Sequence, residues 1–198
     1  MSPPAQQVAA AYRHLHADAT RALSDWRAPD APQEQLRRGY LAHLAAYPDA
    51  VAKAGPPAHL TASVLVFDEP IQHVLLTLHR KVGAWLQFGG HLEPTDASLY
   101  AAAEREAREE SGLPLDPGGG LVVHPVIAQL DRHSLGAGFT HCREHLDVRY
   151  VGVADHRATP VVSAESHDVR WWPLTDLPDQ TVAELAALIA AARRVVQS

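Results

Sequence analysis

Residues 89–113 read GGHLEPTDASLYAAAEREAREESGL, and this stretch predicts the organisation of the whole chain. It opens with a glycine pair, continues through a polar turn, and ends in a run of good helix formers. Asp96 or Ser98 is suited to cap the N-terminus of that helix, and Gly112 is suited to end it. The stretch therefore predicts a turn followed by a helix that stops at Gly112.

Three carboxylates of the predicted helix lie on one face. Glu106, Glu109 and Glu110 are spaced at i, i+3 and i+4. The same side carries the apolar residues Leu99, Ala102 and Ala103. Like charges one turn apart repel by about 0.2–0.5 kcal/mol even on an exposed helix. A solvated acidic face is the alternative, but carboxylates on the inward side favour a site for Mg²⁺ or Mn²⁺, which prefer oxygen ligands.

The stretch resembles the Nudix box, Gly-x5-Glu-x7-Arg-Glu-hydrophobic-x-Glu-Glu-x-Gly-hydrophobic. Residues 105–113 match its second half, and Gly90 matches its leading glycine. Asp96 stands where the first glutamate belongs, with one extra residue before Arg105. Phe88 replaces the proline that often precedes the glycine pair. The resemblance covers roughly residues 59–178.

The resemblance implies an α/β fold, a Nudix-type α/β/α sandwich with a mixed sheet. It also implies a hydrolase that cleaves a diphosphate bond in a nucleoside diphosphate derivative, with Mg²⁺ or Mn²⁺ as cofactor. Glu106 and Glu110 would be the principal metal ligands. Glu109 would bind a second ion, directly or through water, and the main-chain carbonyl of Gly90 would complete a metal shell.

Further roles follow from the same resemblance. Glu165, in the approach to a late strand, would be a metal ligand or the general base, with Glu109 as the base in its absence. Glu144 and Asp147 are the substitutes for Glu165. Arg105 would orient the glutamates through an ion pair, for which Asp96 is one partner. Apart from the resemblance, Arg80 and Lys81 place two cations shortly before the glycine pair, where they would contact the substrate phosphates together with His91; solvated charges at a strand end are the alternative for the two cations.

Composition sets the protein class. The chain has 198 residues, 46% of them hydrophobic, which is ample for a buried core. With 23 acidic and 17 basic side chains the net charge is −6, which disfavours a nucleic-acid polymer as partner but not a small nucleotide. The sequence has no signal peptide pattern and no apolar run long enough to cross a membrane. Cys142 is the single cysteine, so we expect a cytoplasmic protein without internal disulfides.

Two parts of the chain are distinguished by their patterns. Residues 1–57 predict a helical N-terminal extension, with helices at about 5–27 and 33–46, and residues 58–198 predict the Nudix domain. The extension packs either on that domain or on a second subunit, which leaves a homodimer open. Strands are predicted at 59–67 and 71–79 as a hairpin, and at 121–130, 145–154 and 168–173, before a last helix at about 182–196.

The loop at 131–144 is long and polar, which makes it a candidate for substrate selection, with His141 in it and His145 beside it. Thirteen histidines are many for this length, yet their spacing matches no HExxH or Cys-His zinc pattern. Most are therefore interpreted as surface or hydrogen-bonded core residues.

Two alternatives differ in function. A Nudix-like binding or regulatory module would hold a nucleotide without cleaving it, although the intact segment at 105–112 disfavours this. An isomerase of isoprenoid diphosphates would need a catalytic cysteine, and Cys142 is the only candidate. The sequence favours the hydrolase over both.

Overall fold

The computed structural model describes residues 5–116, 120–135 and 142–198. Within these ranges the chain forms five helices and seven strands. The helices are α1 (Ala5–Ala11), α2 (Arg13–Asp25), α3 (Ala31–Ala46), α4 (Leu99–Ser111) and α5 (Leu185–Val196). The strands are β1 (Ala58–Asp68), β2 (His73–His79), β3 (Trp85–Leu86), β4 (Phe88–His91), β5 (Val122–Ser134), β6 (Glu144–Ala154) and β7 (Ser166–Pro173).

The strands form one sheet in the order β3-β2-β1-β6-β5, with β4 paired to β1 and β7 paired to β2. The predicted hairpin is confirmed, because β1 and β2 pair antiparallel with Val66 opposite Leu75. Strand β2 also pairs antiparallel with β3 and β7, and Trp85 and Thr181 form a parallel bridge. Helices combined with this mixed sheet confirm the predicted α/β fold class.

The first predicted helix is wrong in one respect. Residues 5–27 do not form one helix, because Tyr12, with φ −103° and ψ 7°, separates α1 from α2. The second helix begins two residues earlier than predicted, where the side chain of Asp30 accepts a hydrogen bond from Gln33 N at 2.9 Å and caps α3.

The predicted loop at 131–144 is shorter than expected, because β5 continues to Ser134 and β6 begins at Glu144. Its central residues 136–141, which include His141, lie outside the described residues. The short strands β3 and β4 were not predicted, since two to four residues carry too little alternation to indicate a strand.

The chain divides into two compact units. Unit 1 consists of the described parts of Met1–Ala62, Gly90–Ala102 and Leu130–Val148. Within it, the N-terminal helices make long-range contacts. Gln33 Nε2 donates to Leu130 O at 3.0 Å, and the amide N of Leu99 donates to Asp18 Oδ2 at 2.8 Å. These bonds make the extension part of a compact unit.

Unit 2 consists of the described parts of Ser63–Gly89, Ala103–Gln129 and Arg149–Ser198. Its core packs one side of β1, β2 and β6 against α5. The buried members are Leu65, Phe67, Val74, Leu76, Trp85, Val151, Leu185, Leu188, Ile189 and Ala192. Among the described residues, no helix is both long and apolar enough to cross a membrane.

Candidate active site

Helix α4 presents the glutamates, and local sequence fixes its two ends. The Ser98 Oγ accepts a hydrogen bond from Ala101 N at 3.0 Å, so Ser98 rather than Asp96 is the cap. Asp96 instead accepts a bond from Glu93 N at 2.7 Å and closes the preceding turn. Gly112 ends the helix with φ +68°, a left-handed conformation that favours glycine.

Glu110 is the most buried of the three glutamates, with 5% of its surface exposed. Its Oε2 accepts a hydrogen bond from Gly89 N at 2.8 Å, so the glycine pair orients this carboxylate. Burial raises the pKa of Glu110 to about 8, and the charges of Glu106, Glu165 and Glu109 act in the same direction; the Gly89 bond opposes them. A nearby cation would relieve this penalty.

Glu106 is also inward-facing, and burial raises its pKa, although the charge of Arg105 opposes the rise. Arg105 Nη1 donates to Glu106 Oε1 at 3.0 Å and to Glu109 Oε2 at 3.3 Å. The guanidinium thus bridges the two carboxylates and restricts their rotamers.

Glu109 differs from the prediction, because its side chain is 52% exposed and not part of a buried face. It is turned towards Arg105 and towards Arg108, whose Nη2 lies 3.7 Å from Glu109 Oε1. The two arginines therefore hold Glu109 at the edge of the acidic face.

Strand pairing brings Glu165 and His79 to the same site. Residue His79, the last of β2, pairs with Ser166 of β7, and Arg80 N donates to Glu165 O at 2.9 Å. Nε2 of His79 lies 4.0 Å from Glu165 Oε2. Ligand atoms of His79, Glu110 and Glu165 all lie within 4.8 Å of one another.

This donor set fits a divalent cation. The carboxylates of Glu110 and Glu165 converge with the imidazole of His79. The negative charges of Glu109 and Glu165 also act on Glu106. Because Glu110 is buried, its ionisation is unfavourable without a nearby cation. Oxygen-rich ligands suit Mg²⁺ and Mn²⁺, and an imidazole is compatible with Mn²⁺.

A family model described as the NUDIX domain matches residues 57–192, more than half of the chain. The chain belongs to the Nudix family. Membership confirms the predicted enzyme class, a Nudix-type pyrophosphohydrolase that acts on diphosphate bonds. A search of curated proteins gave no match.

Solved structures support the Nudix fold. A NUDIX-family hydrolase from Clostridium perfringens is 21% identical, with 69% of this chain and 97% of that chain covered and a TM-score of 0.55. An Ap4A hydrolase from C. elegans is 16% identical, with 70% and 97% covered and a TM-score of 0.55. The MutT protein from Methanosarcina mazei Go1 is 20% identical, with 72% and 98% covered and a TM-score of 0.55.

The remaining predicted residues of this Nudix protein are distributed over both units. Arg80 and Lys81 are exposed and follow β2 directly, next in sequence to His79. Gly90 and His91 belong to unit 1, where the ring of His91 lies 5.1 Å from the rings of both His59 and His145.

The two substitutes for Glu165 have other contacts. Glu144 Oε2 accepts a bond from Arg132 Nη2 at 2.6 Å, and the buried Asp147 accepts one from Thr61 Oγ1 at 3.0 Å.

Sequence reasoning missed His79, because only the register between β2 and β7 connects it to Glu165.

Proposed function

We propose that this Nudix protein is a metal-dependent hydrolase that cleaves the diphosphate bond of a nucleoside diphosphate derivative. The observation that supports the proposal best is the convergence of a buried Glu110 with Glu165 and His79, beside Glu106. Burial raises the pKa of Glu110 and of Glu106, and repulsion from neighbouring glutamates acts in the same direction, as is expected where a cation belongs.

Glu106 and Glu110 would be the principal ligands of that cation, and ligand atoms of His79 and Glu165 lie within 4.8 Å of a carboxylate oxygen of Glu110. When bound, Mg²⁺ or Mn²⁺ neutralises phosphate charge and lowers the pKa of water. Glu109, which is exposed, is suited to a second ion directly or through water. Gly90 stays a predicted ligand through its carbonyl.

The chain's own residues then perform the proton transfer and the positioning. Glu165 is 68% exposed, so it is accessible to a water molecule and accepts its proton as general base. The water oxygen bonds to phosphorus, and the bridging oxygen leaves with its electron pair. If Glu165 acts only as a ligand, Glu109 takes the base role.

Two kinds of contact hold these groups and the substrate in place. Gly89 N–H orients Glu110, and Arg105 restrains Glu106 and Glu109. Arg80 and Lys81 supply exposed positive charge at the end of β2, beside His79, where it would attract the phosphates. The predicted small-nucleotide partner and cytoplasmic location belong to this proposal.

The test is a substrate panel. Purified protein is incubated with nucleotide sugars, ADP-ribose, dinucleoside polyphosphates and nucleoside triphosphates, each with Mg²⁺, Mn²⁺ or chelator. We expect metal-dependent release of a phosphorylated product from at least one compound. Turnover that persists in chelator, or nucleotide binding without turnover throughout the panel, would contradict the proposal.

Glu110→Gln tests the proposed metal site with little change to the fold. Glutamine keeps the shape and still accepts the hydrogen bond from Gly89, but it lacks the charge that binds a cation. We expect a loss of at least about 100-fold in kcat. Glu104→Gln is the matched control, since Glu104 lies on the same helix outside the carboxylate group, and it should keep wild-type turnover.

A further inference from the structure

Unit 1 contains a second group of metal-binding side chains, made of nitrogen and sulfur donors. Its members are His59, His91, Cys142 and His145. One ligand atom from each, an imidazole nitrogen or the cysteine sulfur, lies within 4.8 Å of all the others. All four residues belong to unit 1.

The geometry of the group is compact on every side. The rings of His59 and His91 are 5.1 Å apart, those of His59 and His145 are 5.4 Å apart, and those of His91 and His145 are 5.1 Å apart. Around a tetrahedral zinc ion, neighbouring ligand atoms are separated by roughly 3.3–3.8 Å, from bond lengths of about 2.0–2.3 Å. Small side-chain rotations would close the difference.

Two members of the group are buried and the other two, His91 and His145, are partly buried. His59 is 0% exposed and Cys142 is 8% exposed, and Nε2 of His145 is buried with no hydrogen-bond partner among the described residues. A histidine pair or trio packed only for stability would be expected to satisfy such a nitrogen with a protein group.

His59 is oriented as metal-binding histidines usually are. Its Nδ1 lies 3.0 Å from the carbonyl oxygen of Pro56, so Nδ1 carries the proton and donates it to that carbonyl. This tautomer leaves the lone pair on Nε2. A backbone carbonyl that fixes the ring through one nitrogen, while the other binds the ion, is a regular feature of metal sites.

We propose that His59, His91, Cys142 and His145 bind one zinc ion at a structural site. Four protein ligands complete a tetrahedral shell and leave no position for substrate, which distinguishes structural from catalytic zinc. Thiolate and imidazole donors select zinc over the Mg²⁺ or Mn²⁺ that suit the carboxylates of α4.

The ion would join separate segments of unit 1. His59 lies at the start of β1, His91 at the end of β4, and Cys142 and His145 on either side of the first residue of β6. Because the segments are far apart in sequence, the binding free energy stabilises the folded state of this unit. The proposal assigns His91 to this zinc site and not to the substrate phosphates, and it does not rest on the proposed hydrolase activity.

The first measurement is the metal content of the full chain, purified without a polyhistidine tag and washed with excess Mg²⁺. Elemental analysis should give about one zinc per chain. A content below about one tenth per chain, even after incubation with Zn²⁺ and gel filtration, would overturn the proposal.

Cobalt exchange identifies the ligands. Co²⁺ in this site should give strong visible absorption, typical of tetrahedral coordination, and a near-ultraviolet band from charge transfer between thiolate and metal. The carboxylate site contains no cysteine and cannot produce the thiolate band. A Co²⁺-loaded protein without that band would refute the assignment.

Two variants test the ligands one at a time. Cys142→Ser should abolish the thiolate band, and His145→Gln should weaken Zn²⁺ binding at least about 10-fold in competition with a chromophoric chelator. His124→Gln is the control, because His124 is partly buried on β5 and belongs to none of the groups of described residues that could hold a metal ion, and it should leave zinc content unchanged. Zinc binding that survives both ligand variants at wild-type affinity would contradict the site.

Circular dichroism of each variant in the presence of Zn²⁺ tests whether the variant is folded. A variant that has the native spectrum but does not bind zinc supports the ligand role of the replaced residue.

Discussion

Gly112, which ends α4, provides a quantitative test of how the glutamate helix is held. Its φ of +68° costs any other residue about 1–2 kcal/mol. A Cβ at this position would lie 2.5 Å from Val161 Cβ and 3.1 Å from Val161 N. The backbone of Val161 resists displacement, since Val161 N donates to Ser111 O at 2.8 Å. Overpacking of this kind adds about 1–3 kcal/mol. Gly112→Ala should therefore lower the free energy of unfolding by about 2–5 kcal/mol.

Two other glycines are matched controls for this change. Gly83 has nearly the same φ, +69°, but nothing lies within 4 Å of its added Cβ, so Gly83→Ala should cost only the conformational term of about 1–2 kcal/mol. Gly39 lies inside α3 with open space and no positive φ, so Gly39→Ala should stabilise by about 0.5–1 kcal/mol.

Urea unfolding followed by circular dichroism, with all three variants at the same pH and metal concentration, measures the differences. The order of stability should be Gly39→Ala, wild type, Gly83→Ala and then Gly112→Ala. A Gly112→Ala variant within about 0.5 kcal/mol of Gly83→Ala would refute the steric part of the reasoning. One more stable than wild type would refute the backbone part as well.

Three further changes test other parts of the account. Asp68→Asn should cost about 1–3 kcal/mol in urea unfolding at pH 7, because the buried carboxylate accepts bonds from Gln72 N and from His73 N and Nδ1. Burial raises the pKa of Asp68, but these bonds outweigh it and hold the pKa below 3.8. The stabilisation is therefore present above pH 3.8 and is lost as the pH falls through the lowered pKa, so the wild-type and Asn curves should converge there; a gap independent of pH would contradict this. Ser98→Ala removes the cap of α4 and should lower the free energy of unfolding by about 1 kcal/mol in the same assay. Ser24→Ala is the control, because the Oγ of Ser24 bonds to Thr20 O inside α2 and its loss should not destabilise the protein. Equal effects of the two substitutions would contradict the role of Ser98 as a cap. Arg105→Lys keeps the charge but loses the planar guanidinium that reaches Glu106 and Glu109. We therefore expect kcat to fall about 10-fold with little change in the unfolding midpoint. An unchanged kcat would show that positioning by Arg105 is dispensable.

Local signals carried the correct parts of the sequence interpretation. Ser98 was one of two predicted caps of α4 and Gly112 was its predicted stop, because both act through bonds to residues within about one turn. The hairpin of β1 and β2 was predicted because both strands are apolar and a turn separates them. Glu110 was correctly predicted to face inward from helical spacing alone.

Contacts between distant segments were not accessible in this way. His79 reaches Glu165 through the pairing of β2 with β7, whose register shifts between Leu78 and His79. Glu109 is 52% exposed and pairs with Arg105 and Arg108, which helical spacing alone did not reveal.

The histidine and cysteine group was missed for a related reason. Its ligands come from three stretches of chain, and only the short spacing from Cys142 to His145 was visible in the sequence. A search for a zinc pattern within one segment cannot find such a site.

The break at Tyr12 between α1 and α2 was also missed, because no glycine or proline in the sequence marks it.

The most direct test of the central claim is the rate of hydrolysis of the best panel substrate as a function of Mg²⁺ concentration. Wild type and Glu104→Gln should show the same saturable activation from zero rate in chelator. Glu110→Gln, checked by circular dichroism to be folded, should show almost no rate at any Mg²⁺ concentration. Equal activation curves for Glu110→Gln and wild type would mean that the carboxylates of α4 are not the metal site, and the proposed mechanism would be wrong.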